Sequence, residues 1–174
     1  MTRRNQRCLT PRHGRPRIAG FSLTEVMIVM TIISLLGAIG IPTLQKVRRR
    51  TAATAIGNDL RTYAAAFDAY VHETGAWPAE TAAGVFPTEM ASRIYSATWL
   101  KTTTIGGQYN WDRNQMHAGR TYAAAIAISS TATAPLPQAV DLWQAIDSII
   151  DDGDLATGNF LIGDDDEPVF IIAK

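Results

Sequence analysis

Apolar and polar positions divide this chain before any single motif does. Phe21 to Ile41 contains one charged residue, Glu25, and from Val26 to Ile41 only Thr31 and Ser34 are polar. Those 21 residues span about 31 Å as a helix at ~1.5 Å per residue, which matches a bilayer core of roughly 30 Å. After Pro42 the pattern becomes one-sided. Ile56, Leu60, Tyr63, Phe67 and Tyr70 recur at alternating steps of four and three, while Arg61, Asp68 and Glu73 fall off that stripe. Gly75 and Pro78 supply stop signals. The pattern therefore predicts one helix over 22–73, apolar all round in its first half and amphipathic in its second. Pro42 should kink it or break it locally, beside Gly37 and Gly40. The amphipathic stripe needs a partner, and the remaining hundred or so residues are the obvious one.

Residues 74–107 are rich in Gly and Pro and read as loop, with a short helix near Glu89–Leu100. The stretches 107–112 and 120–129 read as strands. Tyr122, Ala124, Ile126 and Ile128 would share one face, and residues 112–119 would form the hairpin connection. Pro135 and Pro137 interrupt the chain. A second amphipathic helix follows, with Ala139, Trp143, Ile146 and Ile150 at helical spacing and an end at Gly153. "PVFIIAK" reads as a closing strand. The expected class is α+β: a long N-terminal helix packed on a small C-terminal antiparallel sheet domain with loops.

Charge sharpens this division. The 174 residues carry no formal net charge, but residues 1–20 hold six arginines and no acid. In the other 154 residues, ten Lys or Arg against sixteen Asp or Glu leave −6. A basic arm on an acidic body is one signature of nucleic-acid binding. Here the arm abuts the apolar run, which points to targeting instead. The arginines favour a cytoplasmic N-terminus, a bias weakened by Lys46, Arg48, Arg49 and Arg50 on the far side. The one cysteine, Cys8, lies in the arm, so no disulfide, cysteine-based zinc site or cysteine nucleophile can form after Gly20.

At the boundary of arm and apolar run stands "GRPRIAGFSLTE". An ordinary secretory signal has a shorter apolar region and a small-residue cleavage site after it. Here the nearest such site, Ala38-Ile39-Gly40, directly precedes Ile41-Pro42 and is poor. An uncut signal anchor is the other plain reading. A carboxylate at the edge of a membrane helix calls for a reason. Ser22 and Glu25 fit the S-x-x-E capping box, in which each would satisfy a backbone N–H of the other.

"GFSLTE" between a basic leader and an apolar helix resembles the class III signal of type IV pilins and type II secretion pseudopilins. The resemblance extends over roughly 20–78. It takes in Pro42, "DLRTYAAAFDAY" and a "TGAWP" similar to the "TGxYP" of major pseudopilins. It implies that a prepilin peptidase cuts between Gly20 and Phe21, that Phe21 is then N-methylated, and that Glu25 pairs with the new α-amino group of a neighbouring subunit during assembly. The organisation implied is a leader over 1–20, a membrane and polymerisation half-helix over 21–42, an amphipathic half-helix over 43–74 and a periplasmic domain over 75–174. The protein would be an inner-membrane, single-pass subunit with a cytoplasmic N-terminus. It would assemble with itself and other pseudopilins into a filament, helped by an inner-membrane platform and an assembly ATPase. A type IV pilus (minor) pilin and a signal-anchored periplasmic binding domain are the alternatives. The missing cysteine pair, the helix end and the acidic C-terminal loop lean toward the secretion branch.

Two further groups of residues are of types that can carry chemistry. Asp151, Asp152, Asp154, Asn159 and Asp164 lie in a glycine-containing loop and suit calcium, which takes six to eight oxygens. Major pseudopilins as a family carry calcium in this region, but the spacing matches neither their loop nor an EF-hand, and a solvated loop is the competing reading. Trp77, Trp99, Tyr109 and Trp111 either form a ligand platform or pack the core. His72 and His117 belong to no recognisable triad, and no phosphate loop or metalloprotease motif occurs. A structural subunit, not an enzyme, is therefore expected, with no nucleic-acid partner.

Overall fold

The computed structural model describes residues 20–174. The expected leader, apart from Gly20, and Cys8 lie outside the described residues. The chain divides into two units between Pro42 and Thr43.

In the first unit the chain is helical from Leu23 onward, at the start of α1 (Leu23–Thr74). Every residue from Phe21 to Ile41 is exposed except the half-buried Gly37. Apolar side chains such as Leu36 and Ile39 are each 65% exposed. Such a surface is stable only against lipid or other apolar helices. Thr31 and Ser34 return their hydroxyls to the carbonyls of Met27 and Met30, both at 2.8 Å. Neither polar group is thus left unmatched in an apolar setting. The helix passes Pro42 without interruption, so the local break expected there is absent. Proline removes one backbone donor and disfavours the helical region for the residue before it, yet the helix runs on through Pro42 to Thr74.

The second unit begins with the remainder of α1, which buries Ala53, Ile56, Gly57, Leu60, Tyr63 and Phe67. This is the predicted stripe, shifted to include the small residues on its flank. Tyr70 is only half-buried. Gly57 is where α3 (Val140–Ile150) comes close: a Cβ there would meet Ile149 Cγ2 at 3.2 Å and Ile150 Cγ1 at 3.4 Å. Arg61 extends alongside to hydrogen-bond the Ile149 carbonyl, one of the carbonyls a helix end leaves without an internal partner.

The stripe packs on an antiparallel sheet of four strands, in the order β1-β2-β4-β3, with β1 Gln108–His117, β2 Arg120–Ser129, β3 Phe160–Ile162 and β4 Pro168–Ala173. Tyr109 and Trp111 from β1, Ala124, Ile126 and Ile128 from β2 and Phe160 from β3 join α1 in the main core. Ala125, Ala127, Leu161, Val169 and Ile171 form a smaller cluster on the other face.

Several expectations change in detail. Residues 112–117 belong to β1 rather than to a connection, and the hairpin closes through Ala118 (φ 49°) and Gly119 (φ 72°) alone. Two consecutive positive φ values are what a two-residue turn of the favoured hand requires. Tyr122 leaves the face of Ala124 and Ile126 and joins the smaller cluster, just beyond a register shift between Ala124 and Ala125. The expected helix near Glu89–Leu100 is two fragments, a 3₁₀ turn at Thr88–Met90 and the single-turn α2 at Ser96–Trp99. The three-residue strand β3 went unforeseen.

Candidate functional site

At the start of α1, Ser22 Oγ accepts the Glu25 N–H at 3.2 Å, and the Ser22 N–H donates to Glu25 Oε2 at 3.4 Å. Both halves of the capping box are formed. Ser22 Oγ also lies 2.8 Å from Thr24 Oγ1. Gly20 and Phe21 precede the helix as exposed, non-helical chain, with nothing close to the position a Gly20 side chain would occupy. A scissile bond in such a stretch is accessible without unwinding a helix. Glu25 is exposed on the same terminus, where a helix already favours negative charge. Local structure thus explains Glu25 in an isolated chain and leaves its carboxylate within reach of another molecule.

The acidic loop divides. Asp151 accepts the Asn159 N–H. Asp152 accepts the Asp154 N–H at 2.9 Å and the Thr157 hydroxyl at 2.8 Å, and these two bonds lower its pKa. Asp154 accepts the Ala156 N–H at 3.1 Å. These carboxylates order their own loop. Asp164 sits apart, in the turn between β3 and β4, where it lines one cavity with Glu80 and Asp112. Among the described residues, no three His, Cys, Asp or Glu side chains are grouped to hold a metal ion.

Sequence reasoning missed Asp147, which is fully buried on α3 with both carboxylate oxygens unpartnered. Burial, then the charges of Asp152, Asp151 and Asp154, push its pKa up to about 6. The Gly153 backbone opposes the rise without making a hydrogen bond of normal geometry. Its helical spacing from Trp143 and Ile150 would have signalled an inward position.

Three of the four aromatic residues are core, and the fourth, Trp77, is half-buried and packs against Trp111 with centroids 5.7 Å apart. Trp99, Tyr109 and Trp111 are buried, and Phe67 stacks on Trp111 with centroids 3.8 Å apart and planes 4° from parallel. Their polar atoms are matched. Trp99 Nε1–H donates to Val85 O at 3.0 Å, Trp111 Nε1–H to Pro78 O at 3.3 Å and the Tyr109 hydroxyl to Asp59 at 3.0 Å. Burial, with Asp59 adding to it, raises the Tyr109 pKa.

Comparison with curated proteins finds no match. Among the described residues α1 alone is long and apolar enough to cross a membrane. Residues 15–41 match the family model described as the prokaryotic N-terminal methylation motif, so this chain carries a type IV pilin-like prepilin signal.

Proposed function

We propose that the protein is a pseudopilin-like structural subunit of a type II secretion system, cut by prepilin peptidase between Gly20 and Phe21 and methylated at Phe21. The observation that carries the reading is the methylation motif over 15–41, which runs straight into an exposed apolar helix. That helix continues into an amphipathic half packed on a sheet domain. Before assembly the apolar half would sit in the inner membrane, N-terminus cytoplasmic and sheet domain periplasmic. A platform protein and an ATPase would drive extraction into a filament of this and related subunits. Leaving lipid removes apolar contacts, which contacts with other subunits must replace. The freed α-ammonium of Phe21 would then need a carboxylate, and Glu25 is the acid on the same terminus. An unpaired ion in such surroundings is strongly destabilising.

Secretion rather than pilus assembly is favoured by the cysteine-free chain after Gly20, by "TGAWP" at the end of α1 and by the acidic C-terminal loop. The reading requires no cofactor. A calcium ion on the Asp151–Asn159 loop would have to displace the loop's own donors from Asp151, Asp152 and Asp154.

Intact-mass spectrometry of the membrane-extracted protein tests the processing. The expected product begins at Phe21 and carries one methyl group, and Gly20→Asp should abolish that product. A chain that keeps Met1, or one cut near Gly40, would overturn the reading in favour of a signal anchor or an ordinary signal peptide.

A further inference from the structure

Just past the membrane-fit run, α1 carries Lys46, Arg48, Arg49 and Arg50, a dense positive patch that the filament role does not use. All four residues are exposed. α1 has no acid between Glu25 and Asp59, so none stands three or four residues away to pair with them. Lys46, Arg49 and Arg50 instead share one face of the helix, at spacings where like charges are destabilising. Arg49 reaches Asp141 of α3 at 3.5 Å, a contact open to solvent on both sides. Among the described residues, Lys46, Arg48 and Arg50 form no ion pair.

Beyond the patch the charge reverses. Residues 51–174 hold six Lys or Arg against fifteen Asp or Glu, a net −9. A body of that charge is repelled by an anionic membrane surface, and along the chain the patch stands between the two. Positive residues after the apolar run also oppose the orientation that the six leader arginines favour. Targeting therefore gives no reason for them.

Reach selects the partner. Lys46 to Arg50 follow Ile41 by five to nine residues, about 8 to 14 Å of rise at ~1.5 Å per residue. The polar zone of a bilayer extends roughly 5 to 8 Å beyond its hydrocarbon on each side, and lysine and arginine extend their charged heads along apolar stems. Apolar side chains accompany the charges. Leu44 and Val47 are exposed beside them on α1. Val140, in the first turn of α3, is also exposed and lines a hollow of about 440 Å³ with Arg49. Cations interleaved with exposed aliphatic residues suit an interfacial membrane contact.

We propose that Lys46, Arg48, Arg49 and Arg50, with the first turn of α3 beside them, bind the phosphate groups of anionic phospholipids. Arginine forks match phosphate oxygens in pairs, and lipid phosphate offsets the like-charge repulsion along α1. Acids of a second copy come within reach only in an assembly, whereas headgroups are within reach in every inserted chain. The proposal rests on the membrane-anchored reading of the chain.

The test is hydrogen–deuterium exchange of the full chain in nanodiscs of phosphatidylcholine, alone or mixed with phosphatidylglycerol. Exchange at 43–51 and 139–142 should slow on the order of tenfold with phosphatidylglycerol, as expected for one or two charges at an anionic surface. The acidic loops over 151–167 should not change. Lys46→Gln/Arg48→Gln/Arg50→Gln should remove the difference while β1 and β2 keep their exchange rates, and Arg48→Lys/Arg50→Lys should retain it. Equal exchange in the two lipids with 23–41 slow in both, or an undiminished difference in the triple variant, would overturn the proposal alone. Fast exchange at 23–41 would overturn the anchored reading and the proposal with it. Slowing that follows the number of chains per nanodisc rather than the lipid would replace the bilayer with a second copy.

Discussion

Asp147 shows how one side chain can make stability depend on pH. Its carboxyl keeps its proton in the folded protein up to about pH 6, whereas the unfolded chain releases it near 3.8. Between those values the folded state binds more protons, so raising the pH through this window reduces stability. Above it the folded protein holds an unpaired buried charge. Asp147→Asn removes that charge but keeps the shape. Urea denaturation should show the stability difference, variant minus wild type, growing more positive from acid to neutral pH, on the order of 1 kcal/mol. An identical difference at both ends would mean that Asp147 finds a partner in solution. Ser22 and Glu25 are the opposite case, because their two hydrogen bonds are local and S-x-x-E announces them in the sequence.

Among the elements, α1 carries two different burial problems in one helix. Its stripe from Ala53 to Phe67 is buried by the sheet, and Phe67 is the residue most committed there, stacked on Trp111 and edge-on to Trp99 at 5.8 Å between centroids. Phe67→Ala should cost about 3–5 kcal/mol by leaving a cavity among rigid rings. The loss should be visible as a lowered urea midpoint with the near-UV aromatic signal still present in the folded state. A cost below about 1 kcal/mol would mean that the aromatic layer collapses into the gap. The hairpin of β1 and β2 was legible as two strands, but not its length. Polar residues at 112–117 look like a loop because they lie where the sheet's outer face holds the acidic cavity and no large apolar side chain is called for. The short β3 was illegible because three residues carry too little periodicity, and pairing with β4 alone makes it a strand.

On the scale of the whole molecule, the proposed function sets the role of Glu25. Glu25→Ala should leave cleavage at Gly20–Phe21 intact and strongly reduce filament assembly, scored by electron microscopy of sheared filaments and by crosslinking between subunits. Ser22→Ala is the control: it loses the cap, worth ~1 kcal/mol to the helix start, but keeps the carboxylate. Normal assembly by Glu25→Ala, or equal loss in both variants, would reduce Glu25 to a helix cap. The apolar run, its length, the basic leader before it and the stripe after Pro42 are properties of consecutive residues. Hydropathy and helical period display them directly, so the sequence alone determined the membrane-fit helix, the prepilin-type signal and the α+β class. The tertiary structure alone decided which acids come together. Glu80, Asp112 and Asp164 are far apart along the chain and meet around one cavity, whereas Asp152 and Asp164, close in sequence, part into separate loops. Strand pairing makes those meetings, and its register depends on turns and bulges such as Ala118-Gly119 and the shift at Ala124, whose effect on distant neighbours no local pattern records.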